Sequence, residues 1–571
     1  MPRMTGKEAL VRMLRAEGAT TIFGNPGTTE MALLDALHDN KDIKYIVSLQ
    51  EASTVAMADG YARATGRPAF AQVHISVGMA NGDSMLYNAF KGGTPLVITA
   101  GQVDSHLLIQ DAVLSSDQAN RTRFTKWAAE VLHARELPMA LRRAFRTAKT
   151  PPTGPTFLSL PWNVMDEEED VDIAGSSEGY FRIRPDAAAV EKAARMLAGA
   201  ERPVVLLGDR VAQSGGMAEA VALAETLGAP VYAGSYTEVN FPTSHPQYLG
   251  GIGVGWPNQA ARNALQNADV VLLVGSDVLP MYAYTSEPFF GPKTKLIQLD
   301  SNHADLEKKY SAEIAMQGDP KAGMADLNDA LAHAMNGEQK ETARSRASTV
   351  GEEKAQRKAA YQQRLRAAWN NPRTSPERAM AELAAVMPKN TVVCSEAITS
   401  SGALMGAMDF DQPGSFFSAR GGALGWGMPG PVGVKLANPG RPVVSVVGDG
   451  SSMYTFQALW TAARYNVPVV YVICNNGSYR ILREGMVRYA TDTGRPVDHE
   501  ALNFYQLPLN LAKMAEAFNI EGIKVDKAAD LKKAYERAFA SGKSVVVDVS
   551  MDDTIGVEAM QADYRPFAPK K

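Results

Sequence analysis

Short apolar runs rich in β-branched residues alternate with helical patterns along most of this 571-residue chain. Early runs of this kind occupy residues 20–27, 43–50, 68–76 and 95–101, and an Ala-, Leu- and Met-rich stretch with helical character follows each of them. Such alternation is typical of parallel sheets whose two faces are covered by helices. The sequence therefore predicts an α/β protein.

The alternation recurs in three blocks, which predict three doubly wound parallel-sheet domains. The acidic segment DEEEDVDIAGSSEG follows the first block and has the composition of an exposed linker. A polar helical stretch from Asn336 to about Trp369 ends the second block, and Ser375 with Pro376 forms a helix-start signal that opens the third. The predicted domains are 1–168, 185–340 and 370–556.

The composition argues against several classes of function. With 58 basic and 62 acidic side chains and no long run of either sign, the chain lacks the charge pattern of a protein that binds nucleic acid or an anionic membrane. Its two cysteines, Cys394 and Cys474, lie in apolar β-like runs and are expected to be buried thiols. No apolar stretch of about 18 residues is present and the N-terminus reads as an amphipathic helix, so we expect a cytoplasmic protein.

The most informative segment runs from Val443 to Tyr479. A strand pattern leads into Gly-Asp-Gly-Ser at 448–451, a helical pattern follows, and a second strand pattern leads into Asn-Asn-Gly-Ser at 475–478. The glycines allow a tight turn and a close approach of the backbone to a ligand. The carboxyl end of a parallel strand, facing a helix N-terminus, is where anionic phosphates bind.

Asp449 and Asn476 follow two strands that flank one helix, so their side chains can converge on a single ion. Mg²⁺ prefers hard oxygen ligands in an octahedron and usually keeps phosphate oxygens and water among them. The Asp449 carboxylate, the Asn476 amide oxygen and the main-chain carbonyl of Ser478 would supply protein ligands, and a diphosphate would supply others. The alternative is a glycine-rich turn followed by a chance Asn-Asn loop, and the spacing of the two motifs argues against it.

These paired motifs resemble the diphosphate-binding motif of thiamine-diphosphate-dependent enzymes. The three blocks match that family's N-terminal pyrimidine-binding, central and C-terminal diphosphate-binding domains, so the resemblance covers nearly the whole chain. It implies thiamine diphosphate and Mg²⁺ as cofactors. Within the family the chain is most similar to benzoylformate decarboxylases, with acetolactate synthase-like relatives next. The segments that carry this similarity are 25–30, 49–70, 72–78, 241–246, 448–468 and 475–479.

The resemblance implies roles for residues around the cofactor. Glu51 matches the glutamate that hydrogen-bonds the cofactor's pyrimidine ring and activates it; the alternative is a first-turn acid favoured by the helix dipole. Leu424 matches the apolar residue that holds the cofactor bent, although an ordinary packed leucine would look the same. Thr399 and Ser400 are candidate hydroxyls on the diphosphate side, and hydroxyls are also common at helix starts. The other cofactor-binding residues that the motif implies are Gly450, Ser451, Asn476 and Tyr479.

Other positions face the substrate in the family. His74 matches a histidine beside the substrate that can relay protons near neutral pH, and a hydrogen-bonded histidine at a strand end is the alternative. Thr28 matches a serine that contacts the substrate carboxylate, or it caps a helix with Glu30 close by. A second active-site histidine is missing, and Tyr282 lies nearest its position with Tyr284 as the neighbouring candidate. A phenol is a good hydrogen-bond donor but a poor base.

Arg480 and Arg483 lie in the segment RILREGMVR, where the decarboxylases carry an aromatic residue that lines the pocket. They either favour an anionic or extended substrate or belong to a solvated helix face. This departure argues against benzoylformate itself as the substrate and leaves the cofactor assignment unchanged.

The resemblance implies non-oxidative decarboxylation of an aromatic or branched 2-oxo acid to an aldehyde. The alternative is a carboligase or lyase of the acetolactate synthase type that forms or cleaves a 2-hydroxyketone. No segment of the central block supports a flavin, and a non-catalytic paralogue would be expected to lack Glu51, Asp449 or Asn476, all of which are present. In the family's dimers this glutamate reaches the cofactor held by the partner chain. We therefore expect at least a homodimer, with a homotetramer as the full assembly.

Overall fold

Three six-stranded sheets, each entirely parallel, make up the fold. The structure is a computed structural model that describes residues 2–179, 182–253, 258–276, 288–494 and 500–554. Helices pack on the sheets, and strands alternate with helices along the chain in all three regions. The predicted α/β class with three parallel-sheet domains is therefore confirmed, whereas the boundaries given for the domains stay predictions.

The N-terminal sheet has the strand order β3-β2-β4-β5-β7-β6, and a short antiparallel pair of β1 with β8 lies outside it. Its strands are β1 (Arg3–Thr5), β2 (Thr21–Gly24), β3 (Lys44–Val47), β4 (Ala69–Val73), β5 (Leu96–Gln102), β6 (Trp127–Glu130), β7 (Thr156–Pro161) and β8 (Glu168–Asp170). Its helices are α1 (Gly6–Ala16), α2 (Met31–Ala36), α3 (Glu51–Thr65), α4 (Ile75–Gly92), α5 (Gln118–Arg121), α6 (Leu137–Lys149) and α7 (Trp162–Asp166).

The central sheet has the order β11-β10-β9-β12-β13-β14. Its strands are β9 (Pro203–Leu207), β10 (Val231–Ala233), β11 (Tyr248–Gly251), β12 (Val270–Val274), β13 (Lys295–Asp300) and β14 (Ile314–Gln317). Its helices are α8 (Ala187–Ala198), α9 (Asp209–Gln213), α10 (Met217–Leu227), α11 (Gln259–Asn267) and α12 (Pro320–Ala334). The predicted polar helical stretch is the 32-residue helix α13 (Gly337–Ala368).

The C-terminal sheet has the order β16-β15-β17-β18-β20-β19. Its strands are β15 (Val392–Glu396), β16 (Phe416–Ser418), β17 (Val443–Gly448), β18 (Val470–Asn475), β19 (Glu521–Val525) and β20 (Val545–Ser550). Its helices are α14 (Pro376–Val386), α15 (Ser401–Ala407), α16 (Gly430–Ala437), α17 (Asp449–Met453), α18 (Ala458–Arg464), α19 (Arg480–Thr493), α20 (Leu511–Glu516) and α21 (Leu531–Ala540). Ser375 caps α14 as its sequence predicts.

The single helix predicted after Ser451 is wrong in one respect. The structure has two short helices, α17 and α18, separated by the turn at 454–457. Thr455 lies in this turn, and its hydroxyl donates to the carbonyl of Gly425 at 2.6 Å. A contact between distant segments therefore interrupts a helix that local periodicity alone would continue.

The N- and C-terminal sheets share one hydrophobic core, in which α3 packs against α16. Side chains from Phe23 and Ile46 to Trp426 and Val432 belong to this same cluster. The two helices approach backbone to backbone, because a Cβ added at Gly433 would lie 1.9 Å from the carbonyl oxygen of Met57. Glycine and alanine on the facing surfaces make this distance possible.

A buried cluster of charged side chains joins all three domains. Arg63, on α3, donates to Glu238 of the central domain at 2.8 Å and to the carbonyl of Ser418 in the C-terminal domain at 2.9 Å. Its charge is also balanced by Asp59, which accepts a bond from the Trp426 indole at 2.8 Å. The Arg63 side chain is 1% exposed. Burial of a charge is tolerated only with such partners.

The cysteine prediction is confirmed, since Cys394 and Cys474 are both free and buried. Among the described residues, no helix is both long enough and apolar enough to cross a membrane.

We predict that Arg63→Leu destabilises the protein strongly, because the buried Asp59 would lose its ion-pair partner and Glu238 would keep only Arg420. Removing one partner of a buried ion pair costs on the order of 3–5 kcal/mol. Calorimetric unfolding measures this as a lower midpoint temperature. Arg3→Leu is the control, since the Arg3–Glu168 pair is exposed and should contribute less than about 1 kcal/mol. Equal midpoints for the two variants would contradict the role of Arg63.

Candidate active site

The nine candidate cofactor and metal residues of the C-terminal domain line one cleft. The cleft has a volume of about 60 Å³ and lies at the carboxyl ends of β15, β17 and β18. Because β17 lies between the other two strands, segments distant in sequence meet at this edge. The candidates that line the cleft are Thr399, Ser400, Leu424, Asp449, Gly450, Ser451, Asn476, Ser478 and Tyr479.

Asp449 is the buried carboxylate of this cleft, with 2% of its surface exposed. One of its oxygens accepts the N–H of Gly450 at 2.8 Å, and the other accepts the N–H of Gly477 at 2.7 Å. Burial raises the pKa of Asp449 to about 6, although the backbone donors around it favour the ionised form. The carboxylate thus links the turn after β17 to the loop after β18.

The oxygen donors of the cleft fit a magnesium ion. The Asn476 amide oxygen accepts a hydrogen bond from the Ser478 hydroxyl at 2.9 Å. The amide oxygen, and not the amide nitrogen, therefore points towards Ser478. A Cβ at Gly450 would lie 2.7 Å from the Tyr479 ring, so a larger residue in this turn would require the ring to move. No group of three or more histidine, cysteine and acidic side chains suited to a metal occurs in the described parts of the chain. One carboxylate beside an amide suits an ion that keeps phosphate and water ligands.

Leu424, half-buried in the cleft, is carried by a loop that a second buried carboxylate holds. Glu396, the last residue of β15, accepts the backbone N–H groups of Gly425 at 3.0 Å, Trp426 at 3.2 Å and Gly427 at 2.8 Å. Burial raises the pKa of Glu396 to about 7 against the effect of these donors. The sequence analysis did not identify Glu396. The feature that could have identified it is a charged side chain at the end of the apolar run VVCSE.

Glu51 is the first residue of α3 and is buried in the N-terminal domain. Its carboxylate accepts the side-chain amide of Asn81, on α4, at 3.1 Å. It is not among the residues that line the C-terminal cleft of its own chain. Within one chain, Glu51 is therefore not part of the cleft that Asp449 and Asn476 line.

Thr28 and His74 lie at the carboxyl edge of the N-terminal sheet, after the neighbouring strands β2 and β4. Thr28 is exposed and borders a cavity of about 470 Å³. Gly27, and not Thr28, occupies the cap position of the short 3₁₀ helix here, so the capping alternative for Thr28 is wrong. His74 precedes α4, and its Nδ1 lies 3.0 Å from a carboxylate oxygen of Glu30.

The cavity beside Thr28 is walled mainly by apolar side chains. Its apolar lining comes from the start of α4, from the segment after β5 and from α7, and its polar lining consists of Thr28, Thr29, Asp104, Asn163 and Asp166. The apolar members are Ile75, Val103, Leu107, Val113, Leu114 and Trp162. Such a lining favours an apolar ligand group.

Arg480 and Arg483 are half-buried and have partners, so neither belongs to a solvated helix face. Arg480 donates to the carbonyl of Thr554 at 3.0 Å and pairs with Glu484 at 3.1 Å. Arg483 donates to the Tyr505 hydroxyl at 2.7 Å. These bonds connect α19 to neighbouring loops. The Tyr282 and Tyr284 candidates lie outside the described residues.

Comparison with known proteins identifies three matching family models. The model for the N-terminal TPP binding domain of thiamine pyrophosphate enzymes matches residues 4–120. The model for their central domain matches 190–327, and the model for their C-terminal TPP binding domain matches 398–549.

Similar proteins cover nearly the whole chain. A benzoylformate decarboxylase from Pseudomonas aeruginosa is 30% identical over 95% of this chain and 98% of its own length. A probable acetolactate synthase large subunit from Methanocaldococcus jannaschii is 28% identical over 96% of this chain and 92% of its own. The crystal structure of a benzoylformate decarboxylase from Polynucleobacter necessarius superposes with a TM-score of 0.83 at 25% identity, covering 97% of this chain and 99% of that one.

We predict a pH-dependent effect of Glu396→Gln on the stability of the cofactor-free protein. The pKa of Glu396 in the folded state is about 7 against an ordinary 4.5, so the folded state retains the proton between these values while the unfolded state releases it. The stabilising contribution of the protonated group is therefore lost as the pH rises through this window. Across this pH window, the free energy of unfolding of wild type relative to that of the variant should fall by about 3 kcal/mol.

Denaturant unfolding of both proteins from pH 4.5 to pH 7 measures this difference. Glu341→Gln on α13 is the control, because Glu341 is exposed and should give curves parallel to wild type. Parallel curves for Glu396→Gln would show that Glu396 keeps an ordinary pKa.

Proposed function

Because the chain belongs to the thiamine pyrophosphate enzyme family, we propose that it decarboxylates an aromatic or branched 2-oxo acid and releases the aldehyde. The observation that carries this proposal is the apolar cavity beside Thr28, at the same sheet edge as His74. An apolar substrate side chain matches its lining, whereas a small polar one would leave it poorly filled. The relatives named benzoylformate decarboxylases support the same reaction class.

The cleft of the C-terminal domain holds the cofactor in this proposal. Asp449, the Asn476 amide oxygen and the Ser478 main-chain carbonyl would hold Mg²⁺, whose charge would offset that of the diphosphate. Thiamine diphosphate, when bound, supplies the nucleophilic carbon and the electron sink. Leu424, on the loop that Glu396 holds, would contact the cofactor from one side of the cleft. The remaining contacts to the diphosphate side come from Thr399, Ser400, Gly450, Ser451 and Tyr479.

Side chains of the N-terminal domain manage protons and orient the substrate. Glu51 holds a proton at the pyrimidine ring of the cofactor, Thr28 donates a hydrogen bond to the substrate carboxylate, and His74 transfers a proton to the substrate. Tyr282 is a further candidate donor. Since Glu51 does not line the cleft of its own chain, it serves the cleft of a second copy, and the functional unit is at least a homodimer. The homotetramer and the cytoplasmic location stay predictions.

A carboligase of the acetolactate synthase type is the second candidate function. The similarity to the acetolactate synthase relative extends over nearly the full length of both chains. Such an enzyme would form or cleave the carbon–carbon bond of a 2-hydroxyketone. The two functions differ in product, so one assay separates them.

We predict that the protein, reloaded with Mg²⁺ and thiamine diphosphate, releases CO₂ and an equal amount of aldehyde from aromatic or branched 2-oxo acids. A panel of benzoylformate, phenylpyruvate, 4-methyl-2-oxopentanoate and pyruvate measures CO₂, aldehyde and hydroxyketone for each acid. Aromatic or branched acids should give a higher kcat/KM than pyruvate. Hydroxyketone in place of aldehyde would favour the carboligase, and no loss of CO₂ from any acid would contradict the decarboxylase.

Two variants test whether the cavity selects the substrate in that panel. Leu107 lines the cavity, whereas Ile109 of the same 3₁₀ helix is 93% exposed and does not. Leu107→Trp should lower kcat/KM for the large acids more than for pyruvate, and Ile109→Trp should leave the ranking unchanged.

We predict that Glu51→Gln and Asp449→Ala fail in different ways. Glu51→Gln should bind thiamine diphosphate as wild type does but lose turnover on the order of 10²-fold or more, because only the activating carboxylate is removed. Asp449→Ala should weaken the retention of Mg²⁺ and of thiamine diphosphate together. Calorimetric titration with and without EDTA, beside steady-state rates, measures both properties. Asp530→Ala is the control for Asp449, since Asp530 is an exposed carboxylate of the same domain.

A different experimental result would contradict each of these two roles. Turnover of Glu51→Gln at the wild-type rate would remove Glu51 from the mechanism. Tight thiamine diphosphate binding by Asp449→Ala in EDTA would count against the metal site.

A further inference from the structure

The buried carboxylate of Glu30 contacts Nδ1 of the His74 imidazole and not Nε2, the other ring nitrogen. Glu30 is 4% exposed, and one of its oxygens lies 3.0 Å from His74 Nδ1. The His74 side chain is itself only 19% exposed. Sequence reasoning gave Glu30 no role beyond its nearness to Thr28.

Every other contact of the Glu30 carboxylate is also with a donor. The oxygen that faces His74 accepts the N–H of Gly27 at 2.9 Å. The second oxygen accepts the N–H of Gly101 at 2.8 Å and the hydroxyl of Thr29 at 2.9 Å. Two donors on each oxygen commit the group to accepting hydrogen bonds.

This arrangement fixes the proton of the imidazole. Since the Glu30 oxygen accepts, Nδ1 of His74 must carry the hydrogen of their bond. No described residue forms a hydrogen bond with Nε2. In the neutral ring Nε2 is therefore the nitrogen that can accept a proton. In the charged ring it is the nitrogen that can donate one to a substrate.

The backbone around His74 leaves the ring little freedom. A Cβ at Gly27 would lie 2.0 Å from Nδ1, so the turn after β2 packs directly on the ring. Ile75, the next residue, adopts a φ of 44°, which is costly for a β-branched side chain and turns the chain sharply into α4. The ring is thus clamped between a turn and a strained helix start.

We infer that Glu30 is a positioning residue for His74: it keeps a proton on Nδ1 and leaves Nε2 as the only nitrogen that exchanges protons with a substrate. This inference rests on the proposed function for the existence of that exchange. In each turnover the charged ring gives its Nε2 proton to the substrate and becomes neutral, while the Nδ1 proton stays in the bond to Glu30. A proton from solvent on Nε2 then restores the charged ring.

The competing role for Glu30 is purely structural, because its bond to the Gly27 N–H also closes the 3₁₀ helix Thr28–Glu30. A structural residue would lower activity when replaced, as a positioning residue would. The tests therefore need measurements that a change in the fold of the turn alone would not affect.

The first test reads the position of the proton without any substrate. Cofactor-free protein labelled with ¹³C,¹⁵N-histidine is compared by NMR with Glu30→Gln, and the His74 signals are assigned through His74→Gln. Neutral His74 should be the Nδ1–H tautomer in wild type, and the Nε2–H tautomer should appear in Glu30→Gln. Glu8→Gln is the control, because Glu8 forms a capping box of the same domain at an exposed site and should leave the His74 signals unchanged.

The second test is a double-mutant cycle on turnover. Glu30→Gln should lower kcat by about 10–100-fold, as loss of a group that orients a functional histidine does, with a smaller change in KM. In the His74→Ala background the same substitution should cost less than about 3-fold, because its target is gone. Glu30→Asp, which keeps the charge, should recover part of the loss.

Several outcomes would overturn the inference. An Nε2–H tautomer in wild-type His74 would do so even if Glu30→Gln failed to fold. An unchanged tautomer in Glu30→Gln, or an equal loss of kcat with and without His74, would assign Glu30 to structure alone. If the oxo-acid panel gave no CO₂ while the tautomer behaved as expected, the proposed function would fail and the Glu30–His74 arrangement would stand.

Discussion

The structure depends on a guanidinium that water does not reach. Arg63 is anchored by Asp59 of its own helix, by Glu238 of the central domain and by the carbonyl of Ser418 in the C-terminal domain. Groups from all three domains thus stabilise one buried cation, and a shift of any domain would remove hydrogen bonds or an ion pair from it. The helix that carries Arg63 near its end begins with Glu51. The same helix therefore connects the domain junction to the residue expected to activate the cofactor.

Buried carboxylates at sheet edges recur in the functional regions, and each one organises a loop. Asp449 joins the turns after β17 and β18, Glu396 holds the loop that carries Leu424, and Glu30 holds the turn against His74. In all three cases backbone N–H groups donate hydrogen bonds to the carboxylate. A carboxylate with such donors is fixed in position, because any movement would strip hydrogen bonds from a group that has no water to replace them.

Sequence patterns were sufficient for the sheet architecture and for the set of C-terminal residues that meet in one cleft. Strand and helix periods repeat with little interruption, and the residues that follow parallel strands share an edge. They were insufficient where a distant partner decides the local structure. The break between α17 and α18 depends on the bond from Thr455 to Gly425, and Glu396 and Glu30 gain their importance from loops far along the chain. The roles of the site residues themselves stay predictions, and Tyr282 lies outside the described residues.

The common core of the N- and C-terminal sheets has a consequence for how a ribosome produces this protein. The face of α3 that receives α16 is complete several hundred residues before α16 exists. At ordinary translation speeds of about 5–20 residues per second, this face stays uncovered for tens of seconds. Growing chains consequently expose an apolar surface before its native neighbour has been synthesised. Chaperones that shield such surfaces would determine how much active protein a cell obtains.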